Sequence, residues 1–167
     1  PGDSDAMVKA REHFLNAGYY APMAAAVAQH MDSLQRALPR VLPESQVLQE
    51  LAPQQLLDMG CGEGYYLSQL KADGRQLSGV DIAKNAVHRA AKRKLGAQLA
   101  VASVFQLPFV AEQFDITLSI FSPLDPAETL RVLKPGGHLI MVGPGPEHLQ
   151  GLMAHIYTQV QAHQGNP

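Results

Sequence analysis

The sequence predicts an α/β domain: a mostly parallel sheet with helices on both faces, preceded by N-terminal helices. Three observations lead there. From Gln54 onward, short apolar runs alternate with segments of helical periodicity. Strands joined through helical crossovers lie parallel, and both faces of such a sheet must be covered. One apolar run passes straight into a glycine-rich turn, Gly60-Cys61-Gly62-Glu63-Gly64, and then into a helical pattern. Residues 1–53 show helical spacing and linker composition instead.

The elements follow in order. Ser4 to Asn16 reads as a helix, with Met7, Ala10, Phe14 and Ala17 at helical spacing, Ser4 able to cap it and Gly18 ending it. Tyr19 to Pro22 is a connector. A second helix spans Pro22 to Leu38, with proline favoured in its first turn and Pro39 as its stop. Val41 to Pro53 reads as linker, with room for a short helix over Ser45–Leu51. Strands are expected at Gln54–Met59, Gln76–Asp81, Gln98–Ala102, Phe114–Phe121 and His138–Val142. Helices are expected at Gly64–Ala72, Ala83–Leu95 and about Asp125–Leu133, with Lys134–Gly137 as a turn and Pro146–Gln161 as a last helix. The organisation is then a helical segment and linker over 1–53 and a sheet domain over 54–167.

Composition narrows the function classes. The chain has 167 residues, 46% hydrophobic and 17% charged, which is a soluble globular balance large enough for one real core. No apolar run approaches the roughly 20 residues of a membrane span, and the start lacks a signal-peptide centre. The single cysteine, Cys61, leaves no internal disulfide framework and no cysteine-built zinc site. No metal is expected in this chain, and a reducing cytoplasm is the simplest location. A net charge of −2 provides no global basic field for nucleic acid. The chain opens on Pro1, so an upstream segment is expected to be missing.

The glycine turn carries the most information. Glycines at positions 60, 62 and 64 follow the strand end at Asp58. They let the backbone turn sharply and let a ligand lie directly on it. Asp81 ends the next strand, 17 residues after Gly64, well placed to hold two ribose hydroxyls; the plain alternative is a cap for the following helix. A dinucleotide site would place a third glycine where Tyr65 stands, and Glu63 would repel a pyrophosphate. S-adenosylmethionine has no phosphate and needs only the close backbone approach. No Ser-His-Asp arrangement, phosphate loop or metal-ligand spacing of the seven histidines is present. Lys84, His88, Arg89, Lys92, Arg93 and Lys94 make one helix basic, either a solvated face or a phosphate-contacting one.

Taken together, Asp58-Met59-Gly60-Cys61-Gly62-Glu63-Gly64, Val80-Asp81-Ile82, Leu107-Pro108-Phe109, the run from Phe114 to Pro123 and Arg131 to Ile140 resemble a Rossmann-like class I methyltransferase. A narrower resemblance lies in Pro1-Gly2-Asp3-Ser4, Met7, Ala10-Arg11, Phe14-Leu15, Ala17 to Tyr20, Pro22, Tyr65-Tyr66, Phe121-Ser122-Pro123 and Pro144 to Leu149. These are similar to the 23S ribosomal RNA guanine-N1 methyltransferase family.

That resemblance implies S-adenosylmethionine as cofactor, with contacts from Tyr20, Gly62, Glu63 and His148 alongside Asp58, Gly60 and Gly64. It places the ribose on Asp81 and the adenine beside Ser103 and Val104, where many relatives have an acid instead of Ser103. Phe121, Ser122 and Pro123 would line the acceptor pocket, with Phe121 either stacking on an extruded base or packing as a strand-end aromatic. Tyr20 and His148 also have plain readings, as a packed aromatic and an exposed first-turn residue. Asp125 is a weak catalytic candidate beside its role as a helix cap. The family carries an N-terminal four-cysteine zinc module, expected in the missing upstream part, and two further strands. This chain therefore reads as a middle piece. Its fold and cofactor pocket are expected to survive, with weak or no RNA binding alone and 23S ribosomal RNA as partner of the full-length protein. The resemblance leaves room for a homodimer. The rival readings are a small-molecule methyltransferase of the same superfamily and a non-catalytic cofactor-binding domain.

Overall fold

A computed structural model of the chain describes residues 2–36 and 53–145. Two helices come first, α1 (Asp5–Asn16) and α2 (Ala21–Arg36). The sheet domain follows as β1 (Gln54–Met59), α3 (Tyr65–Leu70), β2 (Arg75–Asp81), α4 (Lys84–Lys92) and β3 (Gln98–Val101). It continues through β4 (Phe114–Ile120), α5 (Pro126–Val132) and β5 (Leu133–Val142). The expected short helix at 45–51, the last helix at 146–161 and His148 lie outside the described residues.

All strand pairings are parallel, in the order β3-β2-β1-β4-β5. Chain order therefore reverses between β1 and β4, which opens a crevice at the carboxyl ends of those strands. Alternation along β1 sends Leu56 to one face and Leu57 and Met59 to the other. On the first face Leu56, Leu77, Ile116 and Leu118 pack with Leu67 and Leu70 of α3 and with Val27 and Met31 of α2. On the second, Leu57, Met59 and Val80 pack with Phe114, Leu107 and Val132. The α/β architecture is the expected one.

Two local expectations need correction. The turn expected at Lys134–Gly137 is absorbed into β5. Phe114 pairs with Leu133 and Ile116 with His138, so the corner is a register shift within one strand. On α1 the apolar spacing suggested the wrong face. Val8 and Leu15 are buried, whereas Met7 and Phe14 are about half exposed. Val8 packs on Ala83 and Ala86 of α4, which turns the neighbouring stripe outward. Ser4 caps α1 as read, accepting from Met7 N.

Candidate functional site

The glycine turn is held from below by the neighbouring strand. The N–H groups of Gly60 and Cys61 both donate to Val80 O, at 2.8 and 2.9 Å, and Gly64 N donates to Cys61 O at 2.9 Å. Gly62 N donates to Asp81 Oδ2 at 2.9 Å. Two of these glycines are required for different reasons. A Cβ on Gly60 would lie 2.1 Å from Ser122 Oγ, so the turn and the loop after β4 touch only because that atom is absent. At Gly62, with φ +55°, a Cβ would meet nothing and would project into open space.

That space is a crevice of about 670 Å³. Its floor is Gly60, Cys61 and Gly62, its walls include Asp81, Ile82, Ser103 and Val104 on one side and Ile120 to Pro123 on the other. Gly2, Asp3, Arg11, Phe14 and Tyr20 close it from the N-terminal segment. Most of the expected site residues thus converge, Tyr20, Gly60, Gly62, Glu63, Asp81, Ser103, Val104, Phe121, Ser122 and Pro123 all among its lining. Tyr20 meets Phe121 edge-on at 5.8 Å between ring centres, so it stands at the end of the crevice formed by the loop after β4. Gly64 is the N-cap of α3, and its missing Cβ faces Ala90 of α4, not the crevice.

Asp81 accepts from two main-chain amides, and neither bond is an N-cap bond, because the N-cap of α4 is Ala83. Oδ1 accepts from Ala83 N at 2.8 Å at the head of α4, while Oδ2 anchors the glycine turn. A carboxylate has about four acceptor positions, so two remain for a ligand.

Two expectations are revised by the geometry. Asp58 is not in the crevice wall; it is buried beneath the turn, with neither oxygen hydrogen-bonded. Burial, reinforced by the charge of Asp81, pushes its carboxyl up to about 7. Asp125 caps α5 as read, accepting from Glu128 N at 2.8 Å, and is not among the residues that line the crevice. The basic helix is not one surface. Arg89 pairs with Asp5 and Glu12 of α1, and Arg93 turns inward to Glu63.

The Arg93 contact had no sequence signal beyond the unexplained charge of Glu63. Its Nε donates to Glu63 O at 2.8 Å and to Oε2 at 2.9 Å, and a terminal nitrogen donates to Oε2 as well. Glu63 is buried and its Oε1 has no hydrogen-bond partner. Burial raises its carboxyl pKa against the lowering effect of Arg93. Arg11, Asp3, Phe14 and Ile82 are further lining residues that the motifs did not single out for a role. Exposed apolar side chains at Phe14 and Ile82 are the kind of signal that could have found two of them.

Comparison with known proteins converges on one family. The methyltransferase domain family matches residues 57–141, just over half of the chain. The 23S rRNA (guanine(748)-N(1))-methyltransferase of Streptomyces fradiae is 33% identical over 154 residues, covering 90% of this chain and 50% of that protein. A Micromonospora griseorubida protein provisionally assigned as a 23S rRNA (guanine-N(1)-)-methyltransferase is 36% identical over 160 residues, 93% of this chain and 53% of its own. Among solved structures, PH0226 from Pyrococcus horikoshii OT3 superposes with a TM-score of 0.52 at 26% identity, covering 68% of this chain and 57% of that one. The chain spans about half the length of these curated relatives. With its parallel sheet, glycine turn and Asp81, it belongs to the class I S-adenosylmethionine-dependent methyltransferases, of the kind that resembles the 23S ribosomal RNA guanine-N1 enzymes.

Proposed function

We propose that this chain is the cofactor-binding part of an enzyme that transfers the methyl group of S-adenosylmethionine to N1 of a guanine in 23S ribosomal RNA. The observation that carries the reading is open space over the main chain at Gly62, beside Asp81, with both residues lining one crevice. The residues fit the cofactor. A volume of about 670 Å³ is within the roughly 300–1,000 Å³ of small-molecule sites. Open space at Gly62 admits a ligand to the backbone, and two amide bonds hold Asp81 rigid while leaving acceptor positions for a ribose.

When bound, S-adenosylmethionine supplies a methyl group made electrophilic by a sulfonium. The protein's part is alignment and exclusion of water. The Gly60–Gly62 backbone supports the donor, and Asp81 and the Ser103–Val104 wall fix its nucleoside half. Tyr20, Phe121, Ser122 and Pro123 border the acceptor end, where the Tyr20–Phe121 edge contact gives a planar base an aromatic surface. An acceptor base held at that end by Tyr20, Phe121, Ser122 and Pro123 would meet the methyl group that S-adenosylmethionine would supply from the Gly62 and Asp81 side.

Calorimetry tests the cofactor assignment. Titration with S-adenosylmethionine is expected to give heat and NADH none; the reverse would overturn it. Asp81→Ala is expected to weaken cofactor binding by about 1–3 kcal/mol through loss of a charged hydrogen bond. Unchanged affinity would leave Asp81 as a structural anchor alone. The acceptor is tested by a methylation assay on 23S ribosomal RNA with the protein extended to the length of its relatives. N1-methylguanine is the expected product, and methylation of small molecules with none on RNA would sink that assignment.

A further inference from the structure

We propose that Arg11 is the residue that binds the carboxylate of the cofactor's amino-acid end. This rests on reading the crevice as an S-adenosylmethionine site. Among the described lining residues Arg11 is the sole Lys, Arg or His, against three acids, Asp3, Glu63 and Asp81. That balance suits a ligand with a sulfonium and an ammonium. It leaves the ligand's one anionic group dependent on Arg11 or on main-chain amides.

The glycine turn is poorly placed to supply those amides. Four of its five N–H groups, at residues 60, 61, 62 and 64, already donate within the protein. Glu63 of the same turn is a buried carboxylate with an unpartnered oxygen, which repels a second carboxylate close by. Arg93 satisfies the other oxygen and is not part of the crevice lining. A compensating cation must therefore come from the opposite wall. There α1 is fixed by Arg89 to Asp5 and Glu12, and Arg93 donates to Asn16 at its end. Arg11 follows from that docking and lines the same crevice as Glu63.

Its guanidinium is available. The present partner is Asp3, and both side chains are partly exposed, at 47% and 28%, so the pair is weak and open to exchange. A guanidinium fork matches a carboxylate with two parallel bonds.

The test compares two ligands by calorimetry on the whole chain: S-adenosylmethionine and its decarboxylated analogue, which lacks only the carboxylate. The unmodified protein is expected to prefer the cofactor by about 10- to 100-fold. Arg11→Met is expected to bind both ligands at the level of the analogue, collapsing the ratio towards one, and Arg11→Lys to fall between. A purely structural role would weaken both ligands together and preserve the ratio, which overturns the proposal; so does an unmodified protein that fails to discriminate. If the unmodified protein binds neither ligand, the cofactor assignment itself is wrong.

Discussion

The two halves of the sheet handle carboxylates in opposite ways. On the β4–β5 side Asp115 and Glu128 are satisfied clamps. Asp115 accepts from Lys134 Nζ and from Gln55 N, tying β5 and β1 to β4. Glu128 accepts from Leu107 N and from the Arg131 fork, which holds its carboxyl at about 2, while Arg131 also donates to Leu107 O and Phe109 O. On the β1–β2 side Asp58 and Glu63 are buried and incompletely bonded. Asp58 has two unpartnered oxygens and Glu63 one. Buried polar atoms without partners cost stability and are rare in native proteins. The two incompletely bonded carboxyls lie beneath and within the turn that floors the crevice; Ser78 Oγ on β2 and Thr117 Oγ1 on β4 are the other buried unpartnered side-chain atoms among the described residues.

The largest expected effect breaks the compensation at Glu63. Arg93→Met leaves a carboxylate that is 2% exposed without its guanidinium. Removing one partner of a buried pair costs about 3–5 kcal/mol. Chemical denaturation should show a loss of that order for Arg93→Met and partial recovery for the double variant with Glu63→Gln. Equal stability of all three proteins would mean that Glu63 is neutral or hydrated, and the contrast between the halves would fail.

Asp58 sharpens the contrast through pH. Its carboxyl titrates near 7 in the folded chain because of burial and the Asp81 charge, and near 3.8 in its ordinary environment. Between those values the unfolded chain gives up the proton and the folded chain keeps it. The native state therefore loses stability as pH rises from about 4 to about 7 and no more above that. Asp58→Asn removes this slope. Thermal or urea unfolding should show the variant gaining on the parent between pH 4 and pH 8, by about 4 kcal/mol. A difference that does not change with pH would mean that Asp58 is ionised and solvated.

The legible part of this fold is the part written in local pattern. The turn glycines follow directly on the apolar run Gln54–Met59 and Asp81 ends the next strand; of these, Gly60, Gly62 and Asp81 line the crevice. Partners distant in sequence were not legible. Arg93 reaches Glu63 across 30 residues, and Arg89 reaches Glu12 across 77. The pattern of α4 allowed only a choice between a solvated and a phosphate-contacting face. The docking face of α1 was ambiguous for a similar reason. Met7 and Phe14 share a helical stripe, and so do Val8 and Leu15; contact with Ala83 and Ala86 on another helix selects the second. Periodicity identifies a stripe, whereas burial depends on what it meets.

The smallest effect separates two acids near helix starts, Asp125 as the N-cap of α5 and Asp81 two residues before the N-cap of α4. Asp125 and Asp81 each accept from an amide at a helix start, at 2.8 Å in both cases. Asp81 also bonds to Gly62 and lines the crevice; Asp125 does neither. Asp125→Ala should therefore cost about 1 kcal/mol of stability, the ordinary value of an N-cap, and leave cofactor affinity unchanged. Asp81→Ala should lose both stability and affinity. Measured side by side, denaturation midpoint and cofactor dissociation constant should move together for Asp81 and apart for Asp125. If Asp125→Ala weakened cofactor binding as much as Asp81→Ala, bonding at helix starts alone would set the shape of the crevice, and the carboxylate of Asp81 would have no separate role in holding a ligand.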